Sequence, residues 1–346
     1  MNTGTYSINV TKTDVPDGET ENHKGWNLVA NPYASPVDWL TESGWNKSNI
    51  NDAKYIWNPS ADNYTIFLGG IDPVGINGGT RYIPSNQGFW VQATGNGTFS
   101  INNYCRKGIM TSTPDYYKNE MIDYPLISIT AHIDSLQDET LIRFIRNSTH
   151  KFDRNKDAIK LFSRGKKVPQ LYTIANETNL AVNTVPDLTN NMVFAMNIYS
   201  GSSAYCELTL NGTSNLEDIE DIYLYDNFEK KMINFKQSKT YHFYYQRNEN
   251  PDRFLLLINP SNEKLQEISS ESYYNVYSVG KQVFVHQLNS EIGNGELLIS
   301  NLMGQIIYRT NFNNYKFNFS INNESGIYII YIKTNTEVFS KKLYIN

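Results

Sequence analysis

Apolar and polar residues alternate over short runs along most of this chain, the period of a half-buried strand, and Gly, Pro and Asn punctuate the runs. In "TYHFYYQ", Tyr241, Phe243 and Tyr245 fall on one face and His242 and Tyr244 on the other. "YKFNFSI" repeats the pattern with Phe317, Phe319 and Ile321. "GIYIIYI" is apolar on both faces, which predicts a central strand flanked on each side. No run approaches the roughly 18 to 20 apolar residues of a membrane-spanning helix. The longest, such as Phe254 to Ile258, have strand length. The pattern predicts an all-β protein of tandem β-sandwich domains, the last a small Ig-like sandwich.

Three segments separate by pattern. Residues 1–112 form a domain rich in Trp, Gly and Asn, in which "YIWNPSADNYTIF" predicts a hairpin about Asn58-Pro59 and "GFWVQATGNGTFSI" a second about Gly95 and Gly97. Residues 113–266 predict a β-sandwich from runs such as "TLIRFIR", "VFAMNIYSG" and "RFLLLINP". A polar, Ser/Glu-rich stretch, "PSNEKLQEISSESYY", has linker character. Residues 272–346 then hold strand candidates throughout, enough for a seven- or eight-stranded sandwich.

The stretch "GWNLVANPYASPVDW" concentrates aromatic residues and turn formers, as a ligand platform or a folding signature would. The folding signature is the favoured reading. It predicts a strand with Trp26, Leu28 and Ala30 on one face, broken at Asn31-Pro32. Ser35 would then cap a short helix with Pro36 at its first position and Asp38 at its third, and Trp39 would fold back to the hydrophobic side.

Composition sharpens this picture. Aromatic residues reach 13% of 346, with 25 Tyr, while charged residues are only 19%, which suits strands and turns better than helices. A net charge of -5 without long basic runs supplies no footprint for nucleic acid or for an anionic membrane. Cys105 and Cys206 stand apart from any metal or redox spacing and read as buried free thiols, although their pairing stays open. The N-terminus lacks a signal-peptide pattern and "GTYSINVTKT" reads as an interior strand, so the chain is expected to be the C-terminal part of something longer.

The search for chemistry is mostly negative. His23, His132, His150, His242 and His286 are scattered without ligand spacing, and there is no nucleophile elbow. The glycines of Gly69 to Gly79 lack a following helix or Lys-Ser/Thr, so a hairpin loop is expected there rather than a phosphate cradle. Asp153 to Asp157 copies the start of a calcium loop but has Ala158 and Arg164 at the sixth and twelfth positions, so a polar turn is the better reading. Carboxylate pairs such as Asp138/Glu139 and Asp218/Asp221 show no acid–base geometry in sequence. No enzyme, no catalytic residue, no metal site and no cofactor are expected.

The tail, on its motifs, closely resembles the C-terminal type A sorting domain of the type IX secretion system of Bacteroidetes. The matching features are Gly295 to Ile307 with Gly304 and Gln305, the run Gly326 to Ile330 with Tyr328, and Lys341 to Ile345 with Lys342 at the chain end. Where many members open with Tyr-Pro-Asn-Pro, this chain has "YYNVYSVGKQ", similar to a variant opening. Gly25 to Trp39 and Arg81 to Val91 also resemble a region that precedes such tails in large surface proteins, and the middle segment looks like its continuation.

The resemblance implies an adhesin-like protein carried through the periplasm to the outer-membrane surface or the medium, with the outer-membrane secretion machinery as partner of residues 272–346. Gly304, Gln305, Gly326, Tyr328, Lys341 and Lys342 are the implied signal residues. Two other readings stay open: a carbohydrate-binding module stacking glycans on Trp57, Tyr64 and Trp90, and the accessory portion of a secreted hydrolase whose catalytic domain lies upstream. A glycan or a host or matrix surface is thus a further expected partner.

Overall fold

The computed structural model describes residues 4–13, 23–70, 72–108, 124–176, 178–214, 219–247, 249, 253–270, 274–287, 294–313, 316–334 and 338–345. The fold is all-β, and the longest helix among the described residues is Asn262–Ser270. The chain divides into two compact units, Met1–Pro260 and Ser261–Asn346.

The larger unit is built on three main sheets. A short one pairs Tyr6–Val10 with Gly97–Ile101 and then Trp45–Asn46. A five-stranded sheet runs in the order Trp26–Ala30, Gly88–Gln92, Ala53–Asn58, Asn63–Leu68, Val74–Ile76. A long sheet begins at Lys231–Asn234 and ends at Thr240–Tyr245; among the described residues its one parallel pairing is Leu136–Phe144 with Thr178–Val185. Strands from both halves of the long sheet bury Ile129, Phe144, Met196, Leu208, Leu224 and Phe254 in one core. A register shift between Ser128 and Ile129 marks a bulge, a device that bends a strand.

The five-stranded sheet is covered on both faces, which period-2 alternation permits only if both sets of side chains are apolar. Val29, Phe89, Val91 and Phe67 pack with Tyr33, Trp39, Phe99 and Ile101 on one side. Tyr55, Ile66, Leu68 and Ile76 pack on the other with Leu126, Leu141, Ala181 and Val182 of the long sheet. Residues from either side of the 112/113 division read in the sequence therefore share a core within one compact unit.

Four local expectations are corrected. No helix follows Asn31-Pro32: Val37–Asp38 is a strand paired with Tyr82–Ile83. The Asn31 amide wins over a Ser35 cap by donating to the carbonyls of Ser35 at 2.9 Å and Pro84 at 2.8 Å, while its oxygen accepts from Tyr33 N–H at 3.0 Å. Tyr33 and Trp39 are fully buried and Trp39 donates to the Asp52 carbonyl at 3.0 Å, so the stretch is a folding signature. In its strand, however, Val29 is the buried residue, Leu28 is 61% exposed and Trp26 is half-buried against Tyr55.

Gly88–Gln92 and Gly97–Ile101 are not a hairpin, because they join different sheets and carry the chain across the sandwich. The supposed linker contains the helix Asn262–Ser270: Ser261 Oγ accepts from Lys264 N–H at 3.2 Å, Glu263 occupies the first turn, and Ile268 is buried. The hairpin Ala53–Asn58/Asn63–Leu68 forms as expected, and Asn63–Leu68 pairs onward with Val74–Ile76 through the glycine-rich loop.

The smaller unit is a seven-stranded sandwich among its described residues. One sheet orders Tyr274–Val279, Gln282–Gln287, Lys316–Ser320; the other orders Ile306–Phe312, Gly295–Asn301, Gly326–Thr334, Val338–Ile345. Val276, Val283, Leu297, Ile299, Tyr328, Ile330 and Ile332 form its core. Gly326–Thr334 is central, yet only one face is covered: Ile327 and Tyr331 point to solvent.

Candidate functional site

Two surface features collect the residues singled out in the sequence. The first lies at one end of the four-stranded sheet of the smaller unit. Gly304 has φ +82, the left-handed region that costs an L side chain roughly 1–2 kcal/mol, and its N–H donates to the Asn301 carbonyl at 3.0 Å. Asn301 organises the turn: its oxygen accepts from Met303 and Gln305 N–H, both at 3.0 Å, and its amide donates to Gln305 Oε1 at 2.9 Å.

Asn301 stands opposite Tyr328, Tyr328 opposite Leu343, and Gly326 opposite Ile345. Gly304, Gln305, Gly326 and Tyr328 thus gather at one end with the terminus of the last strand. Lys341 and Lys342, exposed on that edge strand, lie beside Ile330 and Ile329. Tyr328 is a core residue whose hydroxyl donates to the Glu324 carbonyl at 2.5 Å. Sequence reading missed the apolar surface there: Leu302 is 63% exposed, Met303 87%, Ile306 58% and Tyr344 59%. Their only signal was apolar residues flanking a glycine turn.

The second feature is the outer end of an aromatic face of the five-stranded sheet. Trp57 and Tyr64 are a cross-strand pair with ring centroids 5.1 Å apart and planes at 69°, and Trp57 keeps a third of its surface in water. Trp90 lies opposite Tyr55 in the adjoining strand and is half-buried, a flank rather than a platform. Exposed Leu28, opposite Trp90, belongs to the same face and was not among the expected residues. Burial raises the Tyr64 hydroxyl pKa, while the positive charge of Arg164 nearby lowers it.

The buried ionisable groups are spent on the fold. Asp138 pairs with Lys160 and accepts from Asn63 and Asn77 amides at 2.9 and 2.8 Å and from Leu171 N–H at 2.6 Å. Glu139 accepts from Ser128 Oγ at 2.6 Å, and burial raises its carboxyl pKa. Arg253, fully buried, bridges Asp226 at 2.9 Å and Glu249 at 2.7 Å. Lys54, driven down to about 7 by burial, donates to the Thr80 carbonyl at 2.7 Å.

Asp153 to Asp157 is a polar turn: Asp157 accepts from Asp153 N–H and Thr184 N–H, each at 2.7 Å. Among the described residues no three His, Cys, Asp or Glu gather as metal ligands, and no helix is long and apolar enough to cross a membrane. Asp218 and the His286 side chain lie outside the described residues. Cys105 and Cys206 are free and buried, and burial pushes both thiols up to about 12.

Residues 1–257 match a family model described as a domain of unknown function (DUF8693). No curated protein matches the chain. A solved structure titled a polysaccharide lyase matches at 10% identity over 87% of this chain with a TM-score of 0.18, and the chain spans about half, 47%, of that protein's length.

Proposed function

The chain belongs to this family through its larger unit, and from that premise we propose that it is a non-catalytic, exported, adhesin-like protein whose smaller unit is a type IX sorting domain. The reading is supported above all by one observation. Four of the six implied signal residues, Gly304, Gln305, Gly326 and Tyr328, gather at one end of the smaller unit's sandwich, around exposed Leu302, Met303, Ile306 and Tyr344, while Lys341 and Lys342 lie further along the same edge strand as Tyr344. The match to the family ends at 257 and the larger unit ends at Pro260, which supports reading the tail as a separate module.

On this reading the body travels through the periplasm to the outer-membrane surface or the medium. Deleting residues 261–346 in a Bacteroidetes host should leave the protein in the periplasm, and a reporter fused to those residues should appear outside the cell. Unchanged export of the deletion would refute the reading. A second reading, carbohydrate binding by the body, is favoured by partly exposed Trp57 and the half-buried Tyr64 packed on it, since aromatic rings stack on the apolar faces of sugars.

A further inference from the structure

We propose that the loop of residues 163–169, together with Trp57 and Tyr64, forms a binding site for an acidic polysaccharide, a refinement that rests on the carbohydrate reading. The loop reads Ser-Arg-Gly-Lys-Lys-Val-Pro, and Arg164, Lys166 and Lys167 are all exposed. None of the three pairs with a carboxylate among the described residues, and they form a basic cluster on a chain whose net charge is -5.

The loop is built against the aromatic hairpin. Ser163 Oγ donates to the Asp62 carbonyl at 2.6 Å, in the turn that joins the strands of Trp57 and Tyr64, and Gly165 N–H donates to Ser163 Oγ at 2.9 Å. A Cβ at residue 165 would fall 2.0 Å from Asp62 Oδ2, so any larger residue there would have to push the Asp62 side chain aside. The Asp62 carboxylate therefore faces the inner side of the loop.

The far side is pinned as well. The Lys166 carbonyl accepts from Ser202 Oγ at 3.2 Å, beside the end of the strand Met192–Tyr199, whose Tyr199 is 44% exposed and packs on Phe162. A basic loop, hydrogen-bonded at both of its sides, thus lies between two aromatic patches. Rings supply sugar-face contacts, and guanidinium and ammonium groups beside them select chains that carry carboxylate or sulfate. Fixing the loop in advance lowers the ordering cost of binding.

The test uses the full chain with three probes: polygalacturonate, a sulfated galactan and an uncharged xylan. Binding to one or both charged polymers and much weaker binding to xylan is expected; the two charged arms tell uronate from sulfate recognition. The triple variant Arg164→Ala/Lys166→Ala/Lys167→Ala should weaken charged-polymer binding by about tenfold or more, and Trp57→Ala should weaken it as well, with melting temperatures held.

Equal binding to xylan, unaffected by the triple variant, would overturn the acidic specificity and leave carbohydrate binding standing. No binding to any of the three would overturn both. Equal binding of single-stranded DNA, indifferent to Trp57→Ala, would reduce the site to non-specific charge and also overturn the proposal.

Discussion

The hydroxyl of Tyr55 donates to the carbonyl of Ile159 at 2.8 Å, joining residues 104 apart in the chain and two different sheets. Tyr55 is 2% exposed and its ring meets Trp26 edge-on at 4.9 Å. This bond and the Asp138 cluster make residues 4–108 and 124–260 mutually dependent. Tyr55→Phe should cost about 1 kcal/mol, and Tyr55→Ala about 3–5 kcal/mol. Urea unfolding read by fluorescence should show one transition for both regions; two separated transitions would contradict the shared core.

Breaking the buried Asp138–Lys160 pair should cost more than any surface ion pair, because one charge is left without its counterion in the interior. Lys160→Met should lower unfolding free energy by about 3–5 kcal/mol. Arg309→Ala, whose guanidinium meets Glu296 at 2.5 Å on the surface, should change stability little. Comparable losses for the two would sink the argument.

Asp157 carries a pH dependence of definite sign. Burial raises its carboxyl from 3.8 to about 6 in the folded chain, despite hydrogen bonds from Asp153 and Thr184 N–H. A raised carboxyl holds its proton more tightly folded than unfolded, so its stabilising contribution is complete below pH 3.8 and is lost as pH rises through about 6. Asp157→Asn should flatten the stability profile between those values, whatever it does to absolute stability. An unchanged slope would show that Asp157 is not its source.

Trp39 and Trp57 separate folding from recognition. Trp39→Ala removes a fully buried ring and should cost about 3–5 kcal/mol, whereas Trp57→Ala, at a solvent-facing site, should cost about 1 kcal/mol or less. Thermal denaturation of both variants checks this.

At the tail, Leu302→Ser/Met303→Ser should leave stability within about 0.5 kcal/mol, because both side chains stand in water, and should reduce export. Gly304→Ala should cost about 1 kcal/mol through its positive φ. Normal export of the double variant would move the recognised surface elsewhere.

The all-β class, the hairpin of Trp57 and Tyr64, the alternation of Tyr241 to Tyr245 and the central place of Gly326–Thr334 were legible because strand period and turn chemistry are local properties. Local reasoning also turned Trp39 to the hydrophobic side, where it is fully buried. It failed at Val37–Asp38, where a distant partner, Tyr82–Ile83, and the Asn31 side chain outweigh a good helix-start pattern. It took a nine-residue helix, Asn262–Ser270, for a linker because polarity alone does not separate the two.

What the residues determined by themselves is periodicity, and with it which segments become strands and where they turn. Only the tertiary structure decided which strands pair and which faces stay open. Pairing depends on contacts between residues far apart in the chain: Tyr55 with Ile159, Asp62 with Ser163, Asn301 with Tyr328. For that reason the basic loop beside Trp57 and the apolar end beside Gly304 came into view only once the chain was folded.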